Sequence, residues 1–223
     1  MSLILPMSSR PGRSCCRGSS TRCNRNNVRR SPEESVEEHA RLLAAVPAGT
    51  MIRLNLATAF DCPFEDRIPV EKTLALLDRL VPLKPDAEIC SCDTTGRADP
   101  RHVADLFAAV RQRFPTAKAW AFHAHDTYGL GLANVHAAYR EGVRIFDASF
   151  AGLGGCPFAA GATGMSRPRI SFGCSSALGV STGIDLGKLL LVAQDGAAIP
   201  GRLSGGRVRS ALSARRDACV ATT

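Results

Sequence analysis

Two histidines separated by a single residue are the most chemically informative feature of the sequence. They lie in the segment FHAHDTYG, from Phe122 to Gly129, at the end of a strand predicted from Lys118 to His123. Residues two apart on a strand project to one face, so His123 and His125 would present their imidazoles together. Such a pair binds a divalent metal readily, although a full site needs further ligands. The alternative is two polar residues that hydrogen-bond to their neighbours at a strand end.

Two other residues carry side chains that could take part in a reaction. Asp93 opens the run Asp-Thr-Thr-Gly and could orient a substrate or a ligand, or cap the following helix. Cys156 lies in the glycine-rich run AGLGGCPFAAGATG, where its thiol could act as acid, base or nucleophile, or be a half-buried turn residue. This run is not a dinucleotide fingerprint, because Pro157 stands where the third glycine would, and it lacks the lysine of a P-loop.

The elements that must position these residues alternate between strands and helices. From Ser31 onwards, where Pro32 and Glu34 complete a capped helix start, predicted strands alternate with amphipathic helices. This order predicts an α/β fold with parallel strands, whose carboxyl ends share one edge of the sheet. Active sites of (β/α)8 barrels gather at that edge, and the candidate residues follow the last three predicted strands. The strands are predicted at 51–57, 88–92, 118–123 and 143–149.

Charge and composition exclude several classes of protein. The formal net charge of +8 comes from the two ends, since residues 1–30 hold seven arginines and no acid, and residues 31–164 hold 13 basic against 17 acidic side chains. Basic ends without interleaved aromatics do not make a phosphate-binding face, so we expect no nucleic-acid partner. No run of 18 apolar residues occurs, which predicts no membrane partner. Nine cysteines without disulfide or zinc spacing favour a reduced, cytoplasmic protein.

The chain divides into four predicted segments. Residues 1–30 are rich in arginine and serine without apolar periodicity, which predicts a disordered or out-of-register leader. If this leader is a transit peptide, the protein is located in the mitochondrial matrix instead of the cytoplasm. Residues 31–164 form the folded domain, so order is expected to begin at Ser31. Residues 165–200 are predicted as an irregular segment followed by a helix. Residues 201–223 are predicted as a disordered tail.

Four motifs in order resemble the carboxyl-terminal half of hydroxymethylglutaryl-CoA lyase, a family within a superfamily of metal-dependent (β/α)8-barrel lyases and Claisen-type synthases. The resemblance implies a partial (β/α)8 TIM barrel of about four βα units. It also implies cleavage of 3-hydroxy-3-methylglutaryl-CoA, an acyl-CoA substrate, to acetyl-CoA and acetoacetate with Mg²⁺ or Mn²⁺. The motifs are DCPFEDR (61–67), CDTTG (92–96), HAHDTYG (123–129) and DASFAGLGGCPFAAGATG (147–164).

The same resemblance assigns roles to the candidate residues. It makes His123 and His125 metal ligands, with His123 also close to the proton transfer. Cys156 becomes the thiol of a mobile loop that assists catalysis, and Asp93 a polar residue of the substrate pocket. In this mechanism a base takes the hydroxyl proton, the C–C bond breaks, and the acetyl-CoA enolate is protonated.

The sequence also departs from the family pattern. Met165 stands where an asparagine ligand ordinarily follows the GATG run, and a thioether is a poor partner for a hard cation. The family's aspartate and arginine on the first barrel strand have no counterpart, since the first four βα units are missing. We hypothesise that 1–23 and 165–176 are translated out of register. The alternative function is therefore that of a non-catalytic remnant, or of a related synthase or carboxyltransferase. The open sheet edges of a partial barrel also make a homo-oligomer possible.

Overall fold

A parallel sheet of five strands forms the centre of the structure, a computed structural model in which residues 13–16, 20–148 and 179–196 are described. A two-stranded antiparallel hairpin lies beside it. The described strands are β1 (Arg13–Cys16), β2 (Arg53–Leu56), β3 (Asp61–Cys62), β4 (Asp66–Arg67), β5 (Glu88–Asp93), β6 (Ala119–Ala124) and β7 (Ile145–Asp147). The sheet order is β1-β2-β5-β6-β7, with every neighbouring pair parallel, and β3 and β4 make the hairpin.

Six α-helices accompany the strands within the described ranges. They are α1 (Thr21–Val28), α2 (Pro32–Ala44), α3 (Val70–Leu80), α4 (Pro100–Arg113), α5 (Gly131–Arg140) and α6 (Leu186–Gly196). The start of α2 is the predicted capping box: Ser31 Oγ accepts from the backbone N–H of Glu34 at 3.2 Å, and the Glu34 carboxylate accepts from the N–H of Ser31 at 2.7 Å. Asp99 caps α4 by accepting from the N–H of His102 at 2.9 Å.

The expectation that order begins at Ser31 is wrong. The strand β1 pairs with β2, and α1 begins after Ser20, whose hydroxyl accepts from the N–H of Cys23 at 3.0 Å. The parallel sheet therefore has five strands rather than the four expected. The helix escapes prediction because its residues are almost all polar, and burial of Cys23 and Asn24, rather than an apolar stripe, anchors it.

One face of the sheet packs against the helices and forms the core. Three fully buried phenylalanines, Phe60, Phe107 and Phe122, meet there with ring centroids 5.6 to 6.3 Å apart. Leu54 and Leu56 of β2 project to this side and are also buried. The helix α4 is amphipathic, because its Val103, Leu106, Phe107 and Val110 are all buried.

The other face of the sheet is polar and curved. Arg53 at the amino end of β2 reaches Asp147 at the carboxyl end of β7, although three strand spacings separate them, about 14 Å across a flat sheet. Two side chains cannot bridge that distance together with the offset along the strands. The sheet must therefore curve towards this face, as the wall of a barrel does.

Among the described residues, no helix has the length and the apolar character that a membrane span requires.

Candidate active site at the carboxyl edge of the sheet

The two histidines of the H-x-H segment lie together at the end of β6. Their ring centroids are 5.2 Å apart and the ring planes are tilted by 48°. His125 is buried, and the side chain of His123 is about one quarter exposed, at 26%. The structure therefore brings both imidazoles to one side of the strand end, as their spacing predicts.

A buried carboxylate fixes the orientation of His123. Cys92, His123 and Asp147 occupy matching positions on β5, β6 and β7, so their side chains share the polar face. His123 Nδ1 lies 2.9 Å from Asp147 Oδ2. Because a carboxylate only accepts hydrogen bonds, Nδ1 carries the proton and Nε2 keeps its lone pair. This carboxylate–histidine arrangement is the one that orients histidine ligands of metals.

Asp147 is held as a carboxylate by two partners. Burial alone would raise its pKa, but the hydrogen bond from His123 and the positive charge of Arg53 outweigh burial, and the pKa of Asp147 is lowered. Arg53 Nη1 donates to both Asp147 oxygens at 2.8 Å, and Arg53 Nε pairs with Glu88. The polar face thus carries a continuous network of hydrogen bonds from Glu88 through Arg53 and Asp147 to His123.

Asp93 is fully buried in the turn that follows β5. Its Oδ2 accepts from the N–H of Ala98 at 3.3 Å, whereas its Oδ1 has no hydrogen-bond partner among the residues that the structure describes. Burial raises the pKa of Asp93 to about 7, so this carboxyl group can hold or release a proton near neutral pH. The alternative role of capping the next helix is wrong, since Asp99 caps α4. The backbone carbonyl of Asp93 also accepts from the N–H of His125 at 3.4 Å.

The Asp93 turn and the histidine segment fit closely together at Gly96. Its φ is +71°, a region that favours glycine, and a Cβ placed there would stand 2.9 Å from Thr127. The glycine of the CDTTG motif therefore allows the turn after β5 to approach the turn after β6. This contact, with the backbone bond from the N–H of His125 to the carbonyl of Asp93, joins the turn after β5 to the histidine segment, while the Asp93 side chain projects to the face opposite His123.

Sequence reasoning missed three charged residues of this region. Asp61 lies after β2, and its Oδ1 accepts from Thr95 Oγ1 at 2.9 Å; burial raises the pKa of Asp61. Arg53 and Asp147 are the other two. A local signal existed for Arg53, since an arginine that alternates with Leu54 in a buried strand marks a polar inner face. Asp147 lies on the same polar face, because it stands in register with His123.

The remaining expected site residue, Cys156, lies outside the described residues, as does Met165. Within residues 13–16, 20–148 and 179–196, no group of three or more His, Cys, Asp and Glu side chains is arranged to hold a metal ion. The described residues nevertheless fit part of a metal site. His123 offers a free Nε2 lone pair with a carboxylate behind it, and the His125 ring lies next to it.

A curved parallel sheet with helices on its outer face, and with imidazoles and carboxyls at its carboxyl edge, defines a (β/α)8-barrel type of enzyme fold. The family model described as HMGL-like matches residues 15–195. The chain belongs to this family.

Relatives and solved structures agree with this assignment. The chain is 38% identical over 193 residues to hydroxymethylglutaryl-CoA lyase of Pseudomonas mevalonii, covering 86% of this chain and 64% of the relative. It is 36% identical over 168 residues to (R)-citramalyl-CoA lyase of Chloroflexus aurantiacus, covering 75% and 52%. The crystal structure of hydroxymethylglutaryl-CoA lyase from Pseudomonas aeruginosa matches with a TM-score of 0.80 at 29% identity, covering 91% and 67%. The chain thus spans between about half and two thirds of the curated relatives' length, as a partial barrel.

Proposed function

We propose that this chain forms the carboxyl-terminal part of a divalent-metal-dependent carbon–carbon lyase. The reaction is cleavage of 3-hydroxy-3-methylglutaryl-CoA to acetyl-CoA and acetoacetate. The observation that carries the proposal is the adjacent pair His123 and His125, with Asp147 holding the tautomer of His123 at 2.9 Å. Kinship with lyases that act on CoA thioesters supports the substrate class.

The two imidazoles are the proposed ligands of Mg²⁺ or Mn²⁺. When bound, such a cation polarises the hydroxyl and carboxylate oxygens of the substrate. His123 would hold it through Nε2, because Nδ1–H donates to Asp147. The described chain supplies two ligands, so the remaining ligands must come from other residues of a complete barrel.

The chain's own acid–base groups account for the proton movements of the cleavage. His123 lies close to the reacting hydroxyl in this proposal, and a base there removes the hydroxyl proton as the C–C bond breaks. Asp93, buried with its pKa raised to about 7, is suited to hold a proton in the substrate pocket. The enolate of acetyl-CoA then needs a proton, which we assign to the thiol of Cys156.

A second substrate is favoured by one specific observation. The relative from Chloroflexus aurantiacus is a citramalyl-CoA lyase with nearly the same identity as the hydroxymethylglutaryl-CoA lyases. Cleavage of citramalyl-CoA breaks the same type of bond, between a hydroxyl-bearing carbon and the α-carbon of a thioester. The site described above does not distinguish the two acids, so both substrates belong in the test.

The test separates metal binding from turnover. Mn²⁺ and Mg²⁺ are titrated into the purified chain by calorimetry, and acetoacetate and pyruvate are assayed after addition of the two CoA thioesters. We expect saturable metal binding that is lost in His123→Ala and His125→Ala and kept in His136→Ala, an exposed histidine of α5. Acetoacetate formation supports the lyase, whereas metal binding without any product supports a remnant that lacks the rest of the barrel. Absence of both signals contradicts the proposal.

We also propose that the protein works in the cytoplasm as part of a larger assembly. Cys62 and Cys90 are buried thiols rather than disulfides, which suits a reducing compartment. A second copy of the chain is the simplest cover for the open edges of a partial barrel. Sedimentation of the purified chain tests the assembly, and a monomer at micromolar concentration would contradict it.

A further inference from the structure

A cavity lies at the opposite end of the sheet from the histidines. It has a volume of about 240 Å³ and is formed at the amino ends of β6 and β7, together with the end of α4. Trp120, Val143 and Ile145 give it an apolar wall. Arg111, Lys118 and Arg144 also line it, so three cations surround one small cavity.

None of the three cations forms an ion pair with a carboxylate of the described residues, although the charge of Lys118, after the hydrogen bond from Lys84, contributes to lowering the pKa of Asp86. Arg111 Nη1 donates to the carbonyl of Glu141 at 2.8 Å, and Arg144 Nη1 donates to the carbonyls of Tyr139 and Val143 at 2.9 Å. These bonds hold the guanidinium groups in place without neutralising them. Lys118 forms no ion pair in the described part of the chain.

Two contacts place the guanidinium groups at the rim of the cavity. Arg144 Cζ lies 4.4 Å from the centroid of the Tyr139 ring, a cation–π contact. The guanidinium of Arg111 lies against the turn at Gly142, whose φ of +89° favours glycine. A cluster of positive charge beside an apolar wall is the arrangement that recognises an anion with an apolar body.

We infer that this cavity binds a small organic anion, with its carboxylate or phosphate facing Arg111, Lys118 and Arg144 and its apolar body against Trp120. A volume of about 240 Å³ is enough for a ligand of about eight non-hydrogen atoms. The cavity lies away from the proposed active site, so it is a separate binding site and its test does not depend on lyase activity.

Trp120 is the only tryptophan of the chain and reports directly on this cavity. Hexanoate is titrated into the full chain while the fluorescence of Trp120 is followed, with hexanol and inorganic phosphate as comparison probes. We expect a saturable change with hexanoate, none with hexanol, and weaker binding of phosphate. An equal response to hexanol, or no saturable change with hexanoate, would overturn the inference, and phosphate binding as tightly as hexanoate would show that the apolar wall is not used.

A pair of variants separates the cluster from general positive charge. Lys118→Gln removes a cation that makes no described hydrogen bond, so the fold is preserved, and it should weaken hexanoate about tenfold, the value of one charge-assisted hydrogen bond. Arg101→Gln removes an exposed cation at the other end of α4, and hexanoate affinity should not change. Equal losses in the two variants would contradict a built site.

A further measurement needs no ligand. Quenching of Trp120 by iodide and by caesium is compared at constant ionic strength. Iodide should quench more strongly because the surrounding cations concentrate anions near the ring. Lys118→Gln should reduce that difference, and equal quenching by the two ions in the unaltered chain would contradict a cluster of cations at the cavity.

Discussion

Replacing Asp147 with asparagine tests the charged network behind His123. Asp147 is about 3% exposed and accepts from Arg53 with both oxygens at 2.8 Å and from His123 at 2.9 Å. Removing one partner of a buried ion pair costs about 3 to 5 kcal/mol, because it leaves the other charge unpaired. The amide keeps one accepting oxygen, so we expect a loss near the lower end, about 3 kcal/mol.

Urea unfolding measures this loss as a fall in the midpoint at an unchanged slope. The matched control is Asp105→Asn, whose carboxylate is largely exposed and lies 3.9 Å from Arg101, and it should change the free energy of unfolding by less than about 0.5 kcal/mol. The Asp147→Asn variant should also weaken Mn²⁺ binding about tenfold or more, since His123 loses the carboxylate that orients it.

A second substitution shows where the energy is lost. Arg53→Met in the Asp147→Asn background removes the stranded guanidinium, and Glu88 remains partly open to water. We expect this double variant to unfold at a higher urea concentration than Asp147→Asn alone. An Asp147→Asn chain with the stability of the unaltered protein would refute the reasoning, because the ion pair would then contribute nothing to the fold.

Three further predictions concern other parts of the chain. Burial and the charge of Arg67 lower the pKa of His102, so the folded protein favours the neutral ring. The contribution of this ring to the free energy of unfolding should be complete above about pH 6.5 and should fall as the pH drops below that value. In urea titrations, His102→Gln should make the free energy of unfolding less dependent on pH in this range. Gly96→Ala forces a Cβ to 2.9 Å from Thr127 at a φ of +71° and should lower the free energy of unfolding by about 1 to 3 kcal/mol. Ser31→Ala removes the cap of α2 and should lower it by about 1 kcal/mol.

Each of these three has its own control. An unchanged pH slope in His102→Gln would show that the buried ring does not set the acid limit. Gly129→Ala, where the φ is also positive but no atom lies within 4 Å, isolates the clash at Gly96 from the cost of the backbone conformation. Thermal unfolding compares Ser31→Ala, which removes the hydroxyl, with Ser31→Thr, which keeps it. Equal effects of the two substitutions would contradict the capping bond.

Local pattern was sufficient for the elements that carry an apolar signature. Strands β5, β6 and β7 lie within a residue or two of their predicted bounds, because short apolar runs between helices have few other interpretations. The pairing of His123 with His125 follows from the two-residue period of a strand and needs no tertiary information. The HMGL-like family assignment confirms the resemblance drawn from the motifs.

Long-range contacts could not be found in the same way. Arg53 and Asp147 are 94 positions apart, and only the curvature of the sheet brings them together. The polar helix α1 likewise has no periodic apolar face, so its order depends on what it packs against and not on its own sequence. The unpredicted parts are thus those in which tertiary structure, rather than local preference, decides the outcome.

The central claim is that His123 and His125 hold one divalent cation. Pulsed electron paramagnetic resonance of the Mn²⁺-loaded chain tests it directly, since nitrogen nuclei bound to Mn²⁺ modulate the echo. We expect modulation from two imidazole nitrogens in the unaltered chain and in His136→Ala, and no nitrogen modulation in His123→Ala or His125→Ala, which lose the metal. Bound Mn²⁺ without nitrogen modulation, or with modulation that survives both His123→Ala and His125→Ala, would contradict the claim.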